Sequence, residues 1–342
     1  MRPKVLLIGP LNDAVAASAW AALGSKYTLL EFQSGSRAEF LSTCRGGAYD
    51  GVVGCYRSNS STKLTGPFDA ELVDALPEGW KYVAHNGAGY DTVDVSACSK
   101  RGIAVANTPG AVDGATADVG IFLMLGALRM AHFSITALRA GAWQGDTPRG
   151  HDPAGKVLGI LGMGGIGRAM AHRARAFGMR IIYHNRTRLP PHLESSATYV
   201  SFDALLAQSD VLSLNLALTA STRHIIGAPE LARAKPGVVL VNTARGALVD
   251  EGALAAALAS GRVGAVGLDV YEEEPRVHPG LVADPRAFLL PHVGTYTVET
   301  QRAMELLVIR NLEVAVDEGA MLTLVAEQRG LEWAPAVKEA EV

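Results

Sequence analysis

The sequence predicts an α/β protein with two doubly wound lobes. Short apolar runs alternate with helical stretches along most of the 342 residues, which is the pattern of parallel strands covered by helices. The alternation is interrupted by a polar loop rich in glycine and proline, "TPRGHDPAGK" (147–156), and resumes after it. A chain of this length is sufficient for roughly two domains, each with its own core.

The strand candidates form one set before this loop and another after it. The first set predicts a five-stranded sheet and comprises 4–9, 27–32, 50–55, 81–86 and 103–108. The second set comprises 156–162, 180–184, 210–216, 237–243, 265–270 and 288–292. Helices are predicted over 115–140, whose apolar character fits a helix packed between two lobes, and over 297–318. We expect the remaining chain to fold back on the first lobe, which makes that lobe discontinuous.

Composition excludes several classes of partner. With 31 basic and 34 acidic residues, the formal net charge of −3 gives no signature of nucleic-acid or membrane-surface binding. The apolar run before Gly9 is too short for a secretion signal. The apolar segment 115–131 is interrupted by Asp118 and Arg129, which favours a buried helix over a membrane span. Three widely spaced cysteines predict reduced thiols in the cytoplasm, with no disulfide framework and no metal site.

A glycine-rich loop, "GMGGIG" (162–167), predicts a dinucleotide site. Gly162, Gly164 and Gly167 have G-x-G-x-x-G spacing between a strand and a helix. Such glycines permit a tight turn, close approach of backbone to a pyrophosphate, and close packing of helix on strand. The helix N-terminus attracts the phosphates. Glycine-rich turns also join strands to helices without any ligand, but the next strand about twenty residues on favours the dinucleotide.

The end of that next strand reads "YHNRTRLP" (183–190) and predicts which dinucleotide is bound. An NAD site presents a carboxylate here to the ribose 2′-hydroxyl, whereas this chain has Asn185, Arg186 and Arg188. Arginines can neutralise a 2′-phosphate, so we expect NADP(H) to be preferred, with NAD(H) as the alternative cofactor. The competing interpretation is that both arginines are merely solvated in an exposed turn.

Polar residues follow three strands on the carboxyl side of the second predicted sheet, where such sheets bind ligands. Arg245 lies in "VNTARGALVD" (241–250), Asp269 and Glu274 lie in "GLDVYEEEP" (267–275), and His292 follows the last strand. Each alone has an ordinary structural explanation. Together they provide an arginine to bind a carboxylate and polarise a ketone, a histidine to donate a proton, and a carboxylate to orient the imidazole. The set predicts hydride transfer to a 2-keto acid.

Over nearly its whole length, the chain resembles the D-isomer-specific 2-hydroxyacid dehydrogenase family. The matching motifs are 86–95, 107–118, 162–167, 242–254, 267–275 and 291–297. The resemblance implies a flavodoxin-like substrate domain (1–111 and 297–342) and a Rossmann NAD(P)-binding domain (112–296), with a cleft between them. It also implies a homodimer, because the helix after Ala115 is similar to the family's dimerisation element, and a small 2-keto or 2-hydroxy acid as substrate.

The resemblance also implies roles for individual residues. Arg245, Glu274 and His292 are the catalytic set, and substrate is bound by Arg245, His292 and the backbone of Ala88 and Gly89. Cofactor-binding positions are Thr116 near the pyrophosphate, Gly162, Gly164, Gly165, Ile166, Gly167, Asn185, Arg186, Thr187, Arg188, Leu216, Ala217, Gly294, and, near the nicotinamide, Thr243 and Asp269. The family often has proline where this chain has Ala217, which puts the shape of the adenine pocket in doubt.

Several alternatives remain open at this stage. Glyoxylate and hydroxypyruvate are candidate substrates, but Gly110 and Ala111 leave room for a larger substituent, and two segments (148–159 and 272–294) resemble the mandelate-type branch. Formate dehydrogenase relatives are disfavoured because they pair the histidine with glutamine, where this chain has Glu274. Phosphite oxidation is a weaker alternative. Relatives acting on phosphoserine precursors usually carry an extra regulatory domain, for which a chain of 342 residues leaves little length. From another class, a dinucleotide-sensing corepressor retains the same fold.

Overall fold

The computed structural model describes residues 2–338, which divide into two compact units. The first lies within Met1–Val112 and Thr297–Val342, and the second is Asp113–Tyr296. Each unit has its own parallel sheet and its own apolar core.

The sheet of the first unit has five strands in the order β2-β1-β3-β4-β5, all parallel. The strands are β1 Lys4–Ile8, β2 Thr28–Phe32, β3 Val52–Arg57, β4 Tyr82–His85 and β5 Ala104–Ala106. This is the flavodoxin-like order, and the predicted five-stranded sheet is confirmed. Apolar side chains on both faces of β1 are buried, as expected for a parallel sheet covered by helices on both faces.

Helices cover this sheet, and five of the six begin at a polar side chain that caps them. They are α1 Ala14–Ala22, α2 Arg37–Arg45, α3 Thr62–Thr65, α4 Ala70–Ala75, α5 Val95–Lys100 and α14 Val298–Glu318, with 3₁₀ turns at Leu23–Ser25, Asn59–Ser61 and Ala326–Gln328. Side-chain oxygens of Asp13, Ser36, Asp69, Asp94 and Thr297 accept backbone N–H groups of the first turns. The predicted helix over 297–318 is confirmed.

The chain after α14 packs on β5, and a buried glutamine holds it there. Strands β13 Ala320–Met321 and β14 Ala336–Val337 pair with each other. Between them, the Gln328 side chain accepts the Val105 N–H at 2.8 Å and donates to the Ile103 carbonyl at 2.9 Å. Gln328 is fully buried, so its amide replaces the water that would otherwise satisfy this edge of the sheet.

The second unit has a seven-stranded parallel sheet in the order β12-β11-β10-β9-β6-β7-β8. The strands are β6 Val157–Leu161, β7 Arg180–His184, β8 Thr198–Tyr199, β9 Val211–Leu214, β10 Val238–Asn242, β11 Val263–Leu268 and β12 Ala287–Leu289. The order is that of a Rossmann dinucleotide-binding sheet, extended by one strand. The six predicted strands are present, and the two-residue β8 was missed because it is too short for any periodicity.

Helices of the second unit include one break that the sequence did not predict. They are α6 Asp113–Leu128, α7 Ala131–Arg139, α8 Gly165–Ala176, α9 Pro191–Glu194, α10 Phe202–Gln208, α11 Ala228–Arg233, α12 Glu251–Ala259 and α13 Pro279–Val282, with a 3₁₀ turn at Gly246–Leu248. The prediction of one helix over 115–140 was wrong. Met130 adopts left-handed φ (52°), and α6 and α7 diverge by 74° at this point.

Helix α6 is largely buried inside the second unit. It packs on α8 and on β10, β11 and β12, and Leu123, Met124 and Ala127 belong to the core. Within residues 2–338, no single helix is long and apolar enough to cross a membrane, and only the bent pair α6–α7 meets that length and composition together.

The buried Gln328 gives a test of how the C-terminal segment is held. We expect Gln328→Ala to lower the free energy of unfolding of the first unit by roughly 2–3 kcal/mol, because the Val105 N–H and Ile103 carbonyl lose their partner. Urea unfolding followed by circular dichroism measures the change. Glu332→Gln, at an exposed position of the same segment, is the matched control. Equal unfolding midpoints for both variants would contradict this role.

Candidate functional site

The glycine loop between β6 and α8 has the geometry of a dinucleotide cradle. Gly162 has φ of 97°, and a Cβ there would lie 2.6 Å from the Asn215 carbonyl oxygen. A Cβ at Gly167 would overlap the carbonyl oxygen of Gly162, whereas one at Gly164 would meet no atom within 4 Å. Thus Gly162 and Gly167 allow the loop to pack closely, and Gly164 leaves its outer side open. Gly164, the N-cap residue of α8, provides no side-chain cap to this helix N-terminus, the end of a helix that attracts a phosphate.

Asn185 fixes the glycine loop to the end of β7. Its Oδ1 accepts the Met163 N–H at 2.6 Å, and its own carbonyl oxygen accepts the Tyr199 hydroxyl at 3.1 Å. The sequence indicated only that this position lacks the ribose-binding carboxylate. The structure shows that the amide here is also part of the cradle.

The two arginines that follow have different surroundings. Arg188 donates two hydrogen bonds to the Glu194 carboxylate, at 2.8 and 3.1 Å, and the Tyr183 hydroxyl donates a third at 2.6 Å. The hydrogen bond from Arg188, followed by that from Tyr183, lowers the pKa of Glu194 to about 2. Arg186 is exposed and has no hydrogen-bond or ion-pair partner among residues 2–338. Arg186 is therefore the arginine that can turn to a ligand without breaking an ion pair.

The other predicted cofactor positions lie in this same unit. Thr187 is exposed beside Arg186, Ile166 is in the first turn of α8, and Ala217 is an exposed residue after β9. A side-chain carbon of Leu216 lies 3.0 Å from the Cβ position of Gly162, and one of Thr116 lies 3.6 Å from that of Gly294. Thr243 follows β10, and its buried Oγ1 has no partner in the described part of the chain. These placements fit a dinucleotide running along the carboxyl edge of the sheet.

A buried carboxylate holds the loop that carries His292. Asp269 follows β11 directly, is 1% exposed, and accepts the N–H groups of Val293 and Gly294, both at 2.8 Å. His292 itself has left-handed φ (57°), which is unfavourable for a residue with a Cβ and persists only where neighbours enforce it. Burial raises the pKa of Asp269, with its two N–H bonds opposing the rise.

Glu274 holds the imidazole of His292. Its Oε2 lies 2.8 Å from His292 Nδ1, and its Oε1 accepts the Tyr271 N–H at 3.0 Å. An ionised carboxylate only accepts, so Nδ1 carries the proton and Nε2 is the nitrogen left for a substrate. Burial alone would raise the pKa of Glu274, but the hydrogen bond and charge of His292 outweigh it and lower the pKa below its ordinary value. Both side chains remain over one-third exposed and so are accessible to a solute.

Arg245 lies on the loop after β10, beside this pair. Asn242 braces the loop by donating to the Arg245 carbonyl at 2.8 Å and accepting the Ala244 N–H at 3.0 Å. The positive charge of Arg245 contributes to the lowered pKa of Glu274. A Cβ on Gly246 would overlap the backbone of Tyr271, so the arginine loop and the Glu274 loop touch backbone to backbone. Arg245, Glu274 and His292 are thus brought together at the ends of three adjacent strands.

The predicted substrate residues Ala88 and Gly89 lie in the first unit, on the loop after β4. Their carbonyl oxygens accept hydrogen bonds from Asn107 Nδ2 at 2.7 Å and His85 Nε2 at 3.1 Å. Within residues 2–338, their N–H groups have no hydrogen-bond acceptor. Two adjacent unpaired N–H groups on a braced loop are suited to an anion such as a carboxylate.

Some positioning residues were missed from the sequence. Asn242 and Gly246 lie inside the 242–254 motif, as does Glu251, which accepts the Glu272 N–H at 2.7 Å. The motif itself was therefore a usable signal for these three. Glu194 lies outside every motif and could not have been found that way.

Comparison with known proteins gives matches over most of the chain. The family model described as D-isomer specific 2-hydroxyacid dehydrogenase, NAD binding domain, matches residues 121–294. A 4-methyl-2-oxopentanoate reductase A from Aspergillus oryzae is 63% identical over 96% of this chain and 99% of its own.

Solved structures give the same picture. A glyoxylate reductase from Paecilomyes thermophila has a TM-score of 0.95 and 63% identity, covering 96% of this chain and 99% of its own. An NADPH-dependent glyoxylate/hydroxypyruvate reductase from Sinorhizobium meliloti, in complex with NADP and malonate, has a TM-score of 0.84 and 33% identity, covering 99% and 100%.

Close backbone packing at Gly246 gives a test of the site geometry. We expect Gly246→Ala to reduce turnover at least tenfold, because a methyl group there forces the Arg245 loop away from Tyr271. Steady-state kinetics and dinucleotide binding by fluorescence measure the two effects separately, and binding should change little. Gly252→Ala, where a Cβ has only an ordinary contact, is the matched control. Native turnover in Gly246→Ala would show that the two loops need not be in contact.

Proposed function

We propose, from the premise that this chain belongs to the D-isomer-specific 2-hydroxyacid dehydrogenase family, that it reduces a branched 2-keto acid to the D-2-hydroxy acid with NADPH. Membership makes it a nicotinamide-dinucleotide-binding oxidoreductase that acts on the CH–OH group of small 2-hydroxy acids. The observation that carries the proposal is the 2.8 Å contact between Glu274 and His292, with Arg245 on the adjoining loop.

The residues of the second unit perform the acid–base part of the reaction. When bound, the reduced nicotinamide supplies a hydride to the carbonyl carbon of the keto acid. His292 donates the proton to the carbonyl oxygen from Nε2, because Nδ1 is held by Glu274. The carboxylate of Glu274 stabilises the charged imidazole before transfer. Arg245 binds the substrate carboxylate and polarises the ketone through its charged fork.

The two units then have separate tasks. To the first unit we assign further contacts with the substrate carboxylate, for which the unpaired N–H groups of Ala88 and Gly89 are suited. The second unit holds the dinucleotide, and residues 121–294 of it match the family's NAD-binding domain.

The end of β7 supports the proposed preference for NADPH over NADH. The side-chain oxygen of Asn185 accepts a hydrogen bond from the glycine loop. No acidic residue lies within "NRTRL" (185–189) to repel a 2′-phosphate. Arg186 offers an exposed guanidinium with no competing ion pair among the described residues. A relative of known structure is NADPH-dependent and was solved with NADP.

The substrate is proposed to be branched because a relative at 63% identity is a 4-methyl-2-oxopentanoate reductase. Glyoxylate is the second candidate, since a structure at the same identity is a glyoxylate reductase. Rates of NADPH oxidation with both keto acids distinguish the two.

We propose a homodimer in the cytoplasm. The segment α6–α7 and the residues after it expose large apolar side chains, namely Phe122, Ile135, Leu138 and Trp143, which a second copy of the chain can cover. All three cysteines are free and buried, which is compatible with a reducing compartment.

The role of His292 is tested by replacing the imidazole with a side chain that cannot act as a general acid. We expect His292→Gln to lower kcat for 2-keto acid reduction by about 10²–10⁴-fold, the usual contribution of a general acid, with dinucleotide binding retained. Stopped-flow NADPH oxidation and fluorescence binding provide the two measurements. His192→Gln, at an exposed position of the same unit, is the control. A fully active His292→Gln would eliminate the proposed mechanism.

Cofactor choice is tested by comparing the two arginines. We expect Arg186→Ala to reduce kcat/KM for NADPH by roughly 10–100-fold, the worth of a charge-assisted hydrogen bond, and to leave NADH almost unaffected. Arg188→Ala is the matched variant and should have a smaller effect, because Arg188 already pairs with Glu194. An unchanged NADPH-to-NADH ratio in Arg186→Ala would mean that this arginine is only solvated.

A further inference from the structure

We propose that Arg57 and His85 form a buried pair that positions the substrate-carboxylate loop of the first unit, and that this pair controls affinity for the keto acid. The inference rests on the proposed function, because it assigns the substrate carboxylate to the N–H groups of Ala88 and Gly89. Neither Arg57 nor His85 belongs to any motif used above.

Arg57 is a buried cation with an unusual set of partners. It ends β3, is 0% exposed, and donates to His85 Nδ1 and Thr62 Oγ1, each at 2.9 Å. Its guanidinium lies 5.1 Å from the ring centre of Phe68. The two hydrogen bonds go to an imidazole and a hydroxyl rather than to a carboxylate, while the negative charge of Asp91 favours the charged form of Arg57. Burial lowers the pKa of Arg57 to about 10, so the group is still charged at neutral pH.

Arg57 determines which nitrogen of His85 carries the proton. A guanidinium can only donate, so Nδ1 of His85 must be the acceptor and its proton must be on Nε2. That Nε2–H then donates to the Gly89 carbonyl at 3.1 Å. A proton on Nδ1 would break the contact with Arg57, so the arginine selects the tautomer that holds the loop.

The loop packs directly on this imidazole. A Cβ at Gly87 would lie 2.7 Å from His85 Nε2, so only glycine allows the chain to pass so close. The Gly87 carbonyl also accepts the Thr108 N–H at 3.0 Å. Hydrogen bonds from His85 and Thr108 hold the carbonyl groups of this loop. Among the described residues, the N–H groups of Ala88 and Gly89 remain unpaired and can bind an anion.

Three buried polar atoms without partners cluster at the same edge of the sheet. Arg57 Nε, Asn86 Oδ1 and Thr108 Oγ1 lack hydrogen bonds within the described residues and lie at or just after the ends of β3, β4 and β5. Adjacent strand ends are where doubly wound sheets bind ligands, and buried unsatisfied groups are rare elsewhere. This clustering indicates a functional edge rather than a core that is simply packed.

Conservative and disruptive variants separate positioning from simple stability. Arg57→Met and His85→Phe remove the pair, and each should raise KM for the keto acid roughly tenfold or more while changing kcat and dinucleotide binding little. His85→Gln can accept from Arg57 and donate to Gly89, and should restore much of the affinity. Arg37→Met is the matched control, since Arg37 pairs with Asp69 and Glu71 at the surface of the same unit. Unchanged KM in folded Arg57→Met and His85→Phe overturns the proposal.

A spectroscopic readout distinguishes this proposal from the proposed function. Nitrogen NMR of His85 in the full-length native chain should show Nδ1 unprotonated and Nε2 protonated, whether or not any keto acid is reduced. Arg57→Met should abolish this preference for one tautomer, whereas Arg37→Met should keep it. A native protein with the proton on Nδ1 overturns the proposal even if the His85→Phe variant does not fold. A chain with the expected tautomer that reduces no keto acid retains the Arg57–His85 contact and loses only the proposed function.

Discussion

The site depends on one buried carboxylate, that of Asp269. Because it accepts two consecutive N–H groups just after His292, it fixes that histidine in a left-handed backbone conformation that few non-glycine residues adopt. The end of β11 places the carboxylate and the end of β12 supplies the N–H groups, so the register of two parallel strands determines where the imidazole lies. Glu274 lies 2.8 Å from Nδ1 of the histidine held in this conformation.

The two carboxylates of the 267–275 motif have opposite electrostatic surroundings. Burial raises the pKa of Asp269, whereas contact with His292 lowers that of Glu274. The ionised Glu274 therefore stabilises the folded state at pH values above the unfolded-state pKa of this group. This contribution is lost as the pH falls through its lower folded-state pKa. Asp269 has the opposite sign: burial disfavours its charged form, so stability is lost as the pH rises from its unfolded-state pKa through its raised folded-state pKa. One carboxylate anchors the backbone, and the other orients the acid.

Sequence predicted most of the fold and the three side chains that the structure brings together in the candidate site, for physical reasons that also explain the failures. Buried parallel strands such as β6 are continuous apolar runs, so their existence was predictable. The break at Met130 and the two-residue β8 leave no periodic signal, since each depends on a single local conformation or pairing. The hydrogen-bond partners of individual side chains were harder to predict from the sequence. That Asn185 braces the glycine loop and that Arg188 pairs with Glu194 are consequences of three-dimensional proximity.

In the first unit, too, the strands were predictable and the side-chain contacts were not. Its five strands could be predicted, but the contact between Arg57 and His85 joins two residues 28 positions apart on neighbouring strands and has no signature in sequence spacing. Likewise, Gln328 is a polar residue in a segment without pattern, yet it is fully buried against β5. Buried polar groups that satisfy one another across the fold are therefore the features that sequence reasoning did not reach.

A double-mutant cycle on Asp269 and Glu274 tests most directly whether both carboxylates act through His292. The measured quantity is kcat/KM for reduction of 4-methyl-2-oxopentanoate by Asp269→Asn, Glu274→Gln and the double variant, with dinucleotide binding followed in parallel. If both carboxylates serve one imidazole, the double variant loses little more activity than the worse single variant, since the second change removes a function already lost. Losses that multiply, with dinucleotide binding intact in all three variants, would contradict a shared imidazole and with it the central account of this site.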